Sequence, residues 1–194
     1  PVEGSVQGTV TIPKGTRVAS VPVEGTVCQF RTAYDVALDP LQITAAEARD
    51  TGVGTDLTIK MRTLAGLTLQ GITTRDFRMF LFADPLVAEA YYLWFQENLV
   101  SVALRDPATG RTVAELTPDC VRPAGLSEAE SLLPYPDNAF AGFRLFQEFF
   151  AFREKYHFVD LCALPLERLS SAATGFDLVF RFDPAFEPVM QPRA

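Results

Sequence analysis

A phenylalanine-rich segment, residues 138–152, constrains the fold of this chain more than any other part of its sequence. Within it, Gly142 is the only residue that resists helix formation, so the segment predicts an α-helix from Asn138 to about Ala151. A helix that is apolar on so much of its circumference is expected to be buried on several sides. Each fully buried phenylalanine contributes roughly 1.5–3 kcal/mol. We therefore predict a core helix, with docking of a partner chain on part of its aromatic surface as the alternative. The phenylalanines are Phe140, Phe143, Phe146, Phe149, Phe150 and Phe152.

Few polar residues accompany this predicted helix. Asp137 and Asn138 offer side-chain oxygens to its first N–H groups and are the candidate N-caps. Arg144 and Glu148 stand four residues apart, with the basic residue first, which is the weaker order for a helical ion pair. The residues that follow, 156–161, predict a strand.

The rest of the chain predicts mostly strands. Alternating segments lie in the ranges 8–12, 17–21, 27–32, 41–49, 57–63, 75–82, 99–104, 111–117 and 176–182. Asp84 followed by Pro85 predicts the start of a helix that runs to about Asn98. Ser127 and Glu130 predict a capping box on a short helix. The fold class is therefore mainly β and sandwich-like with two or three buried helices, or, under the alternative label, α+β.

Composition limits the possible partners. The chain has 194 residues and a formal net charge of −7, which argues against electrostatic binding to nucleic acid or to an anionic membrane. No apolar run approaches the roughly 20 residues that span a bilayer, so we predict no membrane insertion. The three cysteines, Cys28, Cys120 and Cys162, are odd in number and widely spaced. They favour buried, reduced thiols in a cytosolic protein.

The residues that could carry chemistry are few. His157 is the only histidine and falls in a predicted core strand, which favours a structural role. Asp119, Glu128 and Glu130 could hold a cation or act as acid and base, but a solvated acidic surface is the simpler interpretation. We find no zinc spacing and no phosphate-binding loop, and we predict no catalytic residue, metal or cofactor. A sugar-stacking platform would require exposed aromatic rings on the first helix, and the helical spacing favours core instead. The rings concerned are Tyr91, Tyr92 and Trp94.

Three stretches together resemble a known family. In the range 132–155 the matching residues are Leu132, Leu133, Pro134, Tyr135, Gly142, Arg144, Leu145, Gln147, Glu148, Phe150, Phe152, Glu154 and Lys155. The family has Tyr at Phe143 and Phe149, Leu at Phe146, Pro at Arg153 and Phe at Tyr156. Two further stretches match the same family in the same order. They are residues 13–16 together with 28–36 and 40–41, and residues 78–84. The chain therefore resembles TssF, the baseplate wedge subunit of the bacterial type VI secretion system.

The resemblance implies a non-catalytic, cytoplasmic scaffold on which the contractile sheath assembles. It implies contacts with TssG, a second TssF copy, TssE, TssK and the spike hub. Within the motif, we expect Tyr135, Phe140, Arg144 and Glu148 to contact a partner. Because the family proteins are longer, residues 1–194 are expected to be one internal fragment, with possible sub-modules at 1–70 (β-rich) and 71–194 (mixed α/β). The alternative function is a β-sandwich carbohydrate-binding module that uses the aromatic residues of the first helix.

Overall fold

The structure, a computed structural model, describes residues 8–133, 135–136, 138 and 140–183, without the side chain of residue 65. Its twelve described strands are β1 Val10–Ile12, β2 Arg17–Ala19, β3 Gln29–Arg31, β4 Val36–Leu38, β5 Leu41–Asp50, β6 Thr55–Thr63, β7 Phe77–Phe80, β8 Leu99–Arg105, β9 Thr112–Leu116, β10 Val121–Pro123, β11 Phe158–Leu161 and β12 Gly175–Phe182. The two α-helices among these residues are α1 Pro85–Glu97 and α2 Ala141–Ala151. Short 3-10 helices lie at Leu64–Gly66, Leu69–Gly71, Pro118–Cys120, Glu128–Glu130, Arg153–Tyr156 and Leu166–Arg168. The mainly β prediction is confirmed.

A five-stranded antiparallel sheet in the order β5-β6-β12-β8-β9 forms the larger layer. Its central strand, β12, pairs with β6 on one side and with β8 on the other, so that Phe180 stands between Leu57 and Val102. Every residue of β12 except Arg181 is buried. One face of β12 carries Phe176, Leu178, Phe180 and Phe182, and all four are buried. The opposite face is covered as well, because Asp177 and Val179 are also buried.

A smaller antiparallel sheet in the order β10-β11-β7 lies against the larger one. The rings of Phe77 in β7 and Phe176 in β12 are 6.0 Å apart. Helix α1 completes the core, with Phe95 edge-on to Phe180 at 5.1 Å. Strands from both predicted sub-modules share the five-stranded sheet, and the division at residue 70 stays a prediction.

Helix α1 begins as its sequence predicts. The Asp84 carboxylate accepts a hydrogen bond of 3.1 Å from the N–H of Leu86, and Pro85 occupies the first turn. The short helix at Glu128–Glu130 also forms as predicted, since the Glu130 carboxylate accepts from both the N–H and the hydroxyl of Ser127.

Three predictions about burial and capping are wrong. Helix α2 is capped by Phe140 without a side-chain hydrogen bond, so Asn138 is not its N-cap; Asp137 lies outside the described residues. Cys28 is exposed and Cys120 and Cys162 are half-buried, although all three cysteines are free as expected. The largest difference is that the phenylalanines of α2 are exposed, so this helix is not buried by its aromatic side chains.

Candidate protein-interaction site

Helix α2 lies with its charged side chains inside and its aromatic side chains outside. Arg144 is 4% exposed and Glu148 is 2% exposed. The six phenylalanines of the segment expose between 43% and 79% of their surface. A surface helix ordinarily shows the reverse arrangement, with its apolar stripe toward the core. The position of α2 therefore depends on what its charged residues bind.

Glu148 lies at the centre of a buried ionic cluster. Its carboxylate accepts hydrogen bonds from the ammonium group of Lys155, from the guanidinium of Arg144 at 3.3 Å and from the backbone N–H of Leu132 at 2.8 Å. Its Oε1 also accepts from the hydroxyl of Ser131 at 3.3 Å. These donors come from α2 itself, from the segment before it and from the 3-10 helix after it. Glu148 thus connects the segments before and after α2 to the buried side of the helix.

The two cations of this cluster are held by further contacts. Arg144 donates to the carbonyl oxygen of Leu126 at 3.0 Å, which ties α2 to the loop that precedes it. Lys155 is almost fully buried, and its side chain passes beside Gly125. At Gly125, φ is +83°, and a Cβ atom would lie 3.2 Å from two carbons of the Lys155 side chain. Only glycine combines this left-handed conformation with room for the lysine.

A second ionic cluster holds the same loop on the smaller sheet. Arg78 of β7 donates to both carboxylate oxygens of Asp160 on β11, at 2.7 and 2.6 Å, and also pairs with Glu130. Glu130 accepts from the N–H of Gly125 at 3.0 Å. The hydrogen bonds that Arg78 donates to Asp160 in particular raise the pKa of Arg78, although burial opposes them. The loop over residues 124–132 is therefore fixed between the sheet and α2.

The charge state of Glu148 follows from its partners. Burial alone would raise the pKa of its carboxyl, but the hydrogen bonds from Lys155 and Leu132, with the positive charges of Lys155 and Arg144, lower that pKa overall. Burial also raises the pKa of Tyr156, whose hydroxyl faces Glu148 at 3.5 Å. Glu148 is therefore ionised at neutral pH and carries the charge that Arg144 and Lys155 require.

The outward side of α2 forms one aromatic surface, which we call the phenylalanine face. Phe143, Phe146 and Phe150 lie within about 60° of the helix circumference at 3.6 residues per turn. The rings of Phe146 and Phe150 stack at 6.2 Å, and Phe149 meets Phe150 edge-on at 5.6 Å. Phe140 in turn meets Phe143 edge-on at 5.8 Å. These contacts hold the rings against each other without removing them from water. Its members are Phe140, Phe143, Phe146, Phe149 and Phe150.

A groove of about 590 Å³ runs beside this face, between α1 and α2. Phe146 and Phe149 belong to both the groove and the phenylalanine face. At the rim, Arg153 pairs with Glu89 of α1 and places its guanidinium 5.7 Å from the ring of Phe149. The volume lies within the range of small binding sites in proteins. The lining residues are Glu89, Tyr92, Leu126, Leu145, Phe146, Phe149, Arg153, Tyr156 and His157.

The four residues expected to contact a partner fall in two different places. Phe140 is 73% exposed, and Tyr135 is half-buried with its hydroxyl donating to the Phe140 carbonyl at 3.3 Å. Arg144 and Glu148 are buried in the ionic cluster and are not accessible in this chain. Phe143, Phe146 and Phe150 were not among the contact residues expected from the sequence. Their spacing of three and four was visible, but spacing does not tell which side of a helix faces the core.

The other candidate residues give no support to a sugar or metal site. Tyr91 is buried and meets Trp94 edge-on at 5.2 Å, so the first helix presents no platform of three exposed rings. Glu130 is engaged by Arg78 and Ser127. Within the described ranges, no group of three or more acidic, histidine or cysteine side chains could hold a metal ion. Nor is any helix in those ranges long and apolar enough to cross a membrane.

The fold and this site define a mainly β protein that holds an aromatic helix face to solvent. Large exposed apolar patches of this kind are typical of subunits in larger assemblies. A family model described as "Type VI secretion system, TssF" matches residues 1–192. The chain therefore belongs to the TssF family of the type VI secretion system.

Two relatives illustrate the similarity. Type VI secretion system component TssF1 of Pseudomonas aeruginosa is 26% identical over 179 residues, which cover 84% of this chain and 29% of that protein. A chain in the cryo-electron microscopy structure of the type VI secretion system TssK-TssF-TssG baseplate subcomplex matches with a TM-score of 0.81 and 27% identity. That match covers the whole of this chain and 37% of the other. The chain thus spans about a third of the length of these relatives.

Proposed function

We propose that this chain is part of a non-catalytic structural component of the type VI secretion baseplate, where it scaffolds assembly of the contractile sheath through protein–protein interfaces. The observation that carries the proposal is the match of the entire chain to a chain of the TssK-TssF-TssG baseplate subcomplex. The family match over residues 1–192 supports the same assignment. TssG and TssK are the first proposed partners, because they are named in that complex.

The wider proposal includes a second copy of TssF, TssE and the spike hub as partners, and a cytoplasmic location. Within the chain, we propose that Phe140 and Tyr135 contact a partner directly. We propose a positioning role for Arg144 and Glu148, since both are buried in the cluster that orients α2. These two side chains then affect assembly indirectly, because they determine which side of α2 faces outward toward a partner.

Co-expression with the TssG and TssK of the same organism tests this function. The protein, purified through a tag, is expected to retain both subunits through size exclusion and to show the mass of a complex by light scattering. An unrelated tagged β-protein serves as the control for non-specific capture. A folded protein that elutes alone, with neither subunit, would refute the proposed baseplate role.

A further inference from the structure

We propose that the phenylalanine face and the adjoining groove bind an uncharged, aliphatic helix of a partner subunit. This proposal rests on the proposed baseplate function and adds the place of contact and the chemistry of the partner. The area of the face, its lack of charge, its spacing and the shape of the groove each bear on the occupant.

The area of the phenylalanine face suits a protein partner rather than a small ligand. Its five phenylalanines are 43–79% exposed. With about 200 Å² for each aromatic side chain, they present roughly 650 Å². A typical monomer has a largest apolar patch of about 300–600 Å², whereas each side of a standard protein interface buries about 800 Å². One face of one partner subunit would therefore cover it.

The charge of the face defines the chemistry of that partner. Between Phe140 and Phe152 the only charged side chains are Arg144 and Glu148, and both point inward. The outward residues between the rings are Ala141, Gln147 and Ala151. A charged partner surface would lose its hydration over the rings, where the nearest charges, Arg153 and Glu89 at the groove rim, already pair with each other. The complementary surface is therefore uncharged and apolar.

The spacing and the groove favour a helix as the bound element. Phe143, Phe146 and Phe150 follow the i, i+3, i+7 pattern by which one helix contacts another. Beside them, the groove of about 590 Å³ has room for several aliphatic side chains. Leu126 and Leu145 contribute to its apolar lining. A partner helix that lies along α2 would place its side chains in this groove.

The face is held in position before any partner binds. The hydrogen bonds of Glu148 to Lys155, Arg144 and Leu132 fix the inner side of α2. Binding therefore orders few additional backbone residues on this side, which favours affinity. Other occupants fit less well. Two copies of this chain would each bring a formal charge of −7, and the same acidity opposes binding to an anionic membrane.

Substitution of the face is the first test. The double variant Phe146→Ala/Phe150→Ala in the full-length protein is expected to bind the TssG–TssK partners about 30- to 100-fold more weakly, as for loss of interface hot spots. The matched control is Phe30→Ala/Phe82→Ala, which removes two exposed rings outside α2 and should bind like the wild type. All four rings are exposed within the described residues, so neither variant should lower the melting temperature of this part of the protein.

The outcomes separate the two proposals. If the wild-type protein binds its partners and the α2 variant binds them equally well, the docking site is refuted and the baseplate function stands. If the wild-type protein binds neither subunit, both proposals are refuted. Equal weakening by the control variant would also refute a specific role for this face.

Filling the groove is an independent test. Leu126→Trp places a large ring in the groove and should weaken binding at least tenfold, while Leu133→Trp alters another exposed leucine that does not line it. A photo-crosslinking phenylalanine analogue at position 150 should then attach to an aliphatic helix of a co-expressed partner. Attachment to another part of the same polypeptide, to a second copy of this protein or to a charged loop would refute the proposal, as would flotation with anionic vesicles.

Discussion

At the scale of single residues, Glu148 is the carboxylate that decides how α2 lies. It accepts from Lys155, Arg144, Leu132 and Ser131, and it is 2% exposed. Its removal would leave two buried cations without a counter-charge. Buried ion pairs contribute little net stability as pairs, but breaking one by removing a single partner is costly. The cluster therefore specifies an orientation more than it adds stability.

The variant Glu148→Gln tests this role. It keeps the shape of the side chain and removes its charge, and it should lower the free energy of unfolding by about 3–5 kcal/mol. Urea denaturation followed by circular dichroism measures the change. The control is Glu154→Gln, which alters an exposed glutamate of the next 3-10 helix and should stay within about 0.5 kcal/mol. Equal stability of the two variants would show that the cluster does not hold the helix.

The loss of folding stability at low pH should also depend on Glu148. The pKa of Glu148 is lowered from its ordinary value of 4.5, so its carboxyl binds a proton more weakly in the folded chain than in the unfolded one. The stabilisation is thus complete above about pH 4.5 and is lost as the pH falls through the lowered value. Glu148→Gln should lose less stability than the wild type over this acid range. Some loss should remain, because the pKa of Glu130 is lowered too.

At the scale of elements, the strands and α1 follow from local sequence, and the orientation of α2 does not. Asp84 and Pro85 specify the start of α1 through groups within the helix itself. Alternation likewise locates β12, because its side chains meet both neighbouring strands. For α2, the deciding groups are Lys155 and the N–H of Leu132, which lie outside the helix. The apolar pattern of α2 alone contains no information about these outside groups. It therefore predicts that the phenylalanines face the core, which is wrong.

In the candidate site, too, the sequence predicts some features and not others. The resemblance includes Arg144, Glu148 and Lys155, and the structure brings these three residues together in one buried cluster. The matching sequence thus contains the residues that hold α2 in place. The exposed Phe146 and Phe149 are departures from the family pattern, so the contact surface was harder to locate from sequence than the cluster beneath it.

The packing of β12 gives a prediction at this scale. Phe180→Ala should lower the free energy of unfolding by about 3–5 kcal/mol, because it leaves a cavity between the sheet and α1. The ring of Phe180 is fully buried and lies 5.1 Å from that of Phe95. Thermal or urea denaturation measures the loss. Phe30→Ala, which removes an exposed ring from β3, is the control and should change little. A small loss for Phe180→Ala would mean that the core closes around the cavity.

At the scale of the whole molecule, an acidic protein presents an uncharged contact face. The formal charge is −7, yet the outward side of α2 carries none of it. Charge on the remaining surface acts against non-specific association. The phenylalanine face can then bind without an electrostatic contribution from the partner.

This arrangement predicts weak salt dependence of assembly. Between about 50 and 500 mM NaCl, the affinity for the TssG–TssK partners should change by less than roughly threefold, because screening acts on charges and not on apolar contact. Surface plasmon resonance at several salt concentrations measures it. The rim variant Arg153→Ala should show the same flat dependence. A steep fall in affinity with salt would instead locate the main contact on a charged surface.

The position of β12 in the chain also affects how the molecule is made. The hairpins β5–β6 and β8–β9 are complete by residue 116, but the strand that joins them begins only at Gly175. Until that strand leaves the ribosome, β6 and β8 each have an open edge able to pair with another chain. Such long-range closure is slow and exposes intermediates to aggregation. Synthesis of β12 is therefore the step that closes these two open edges.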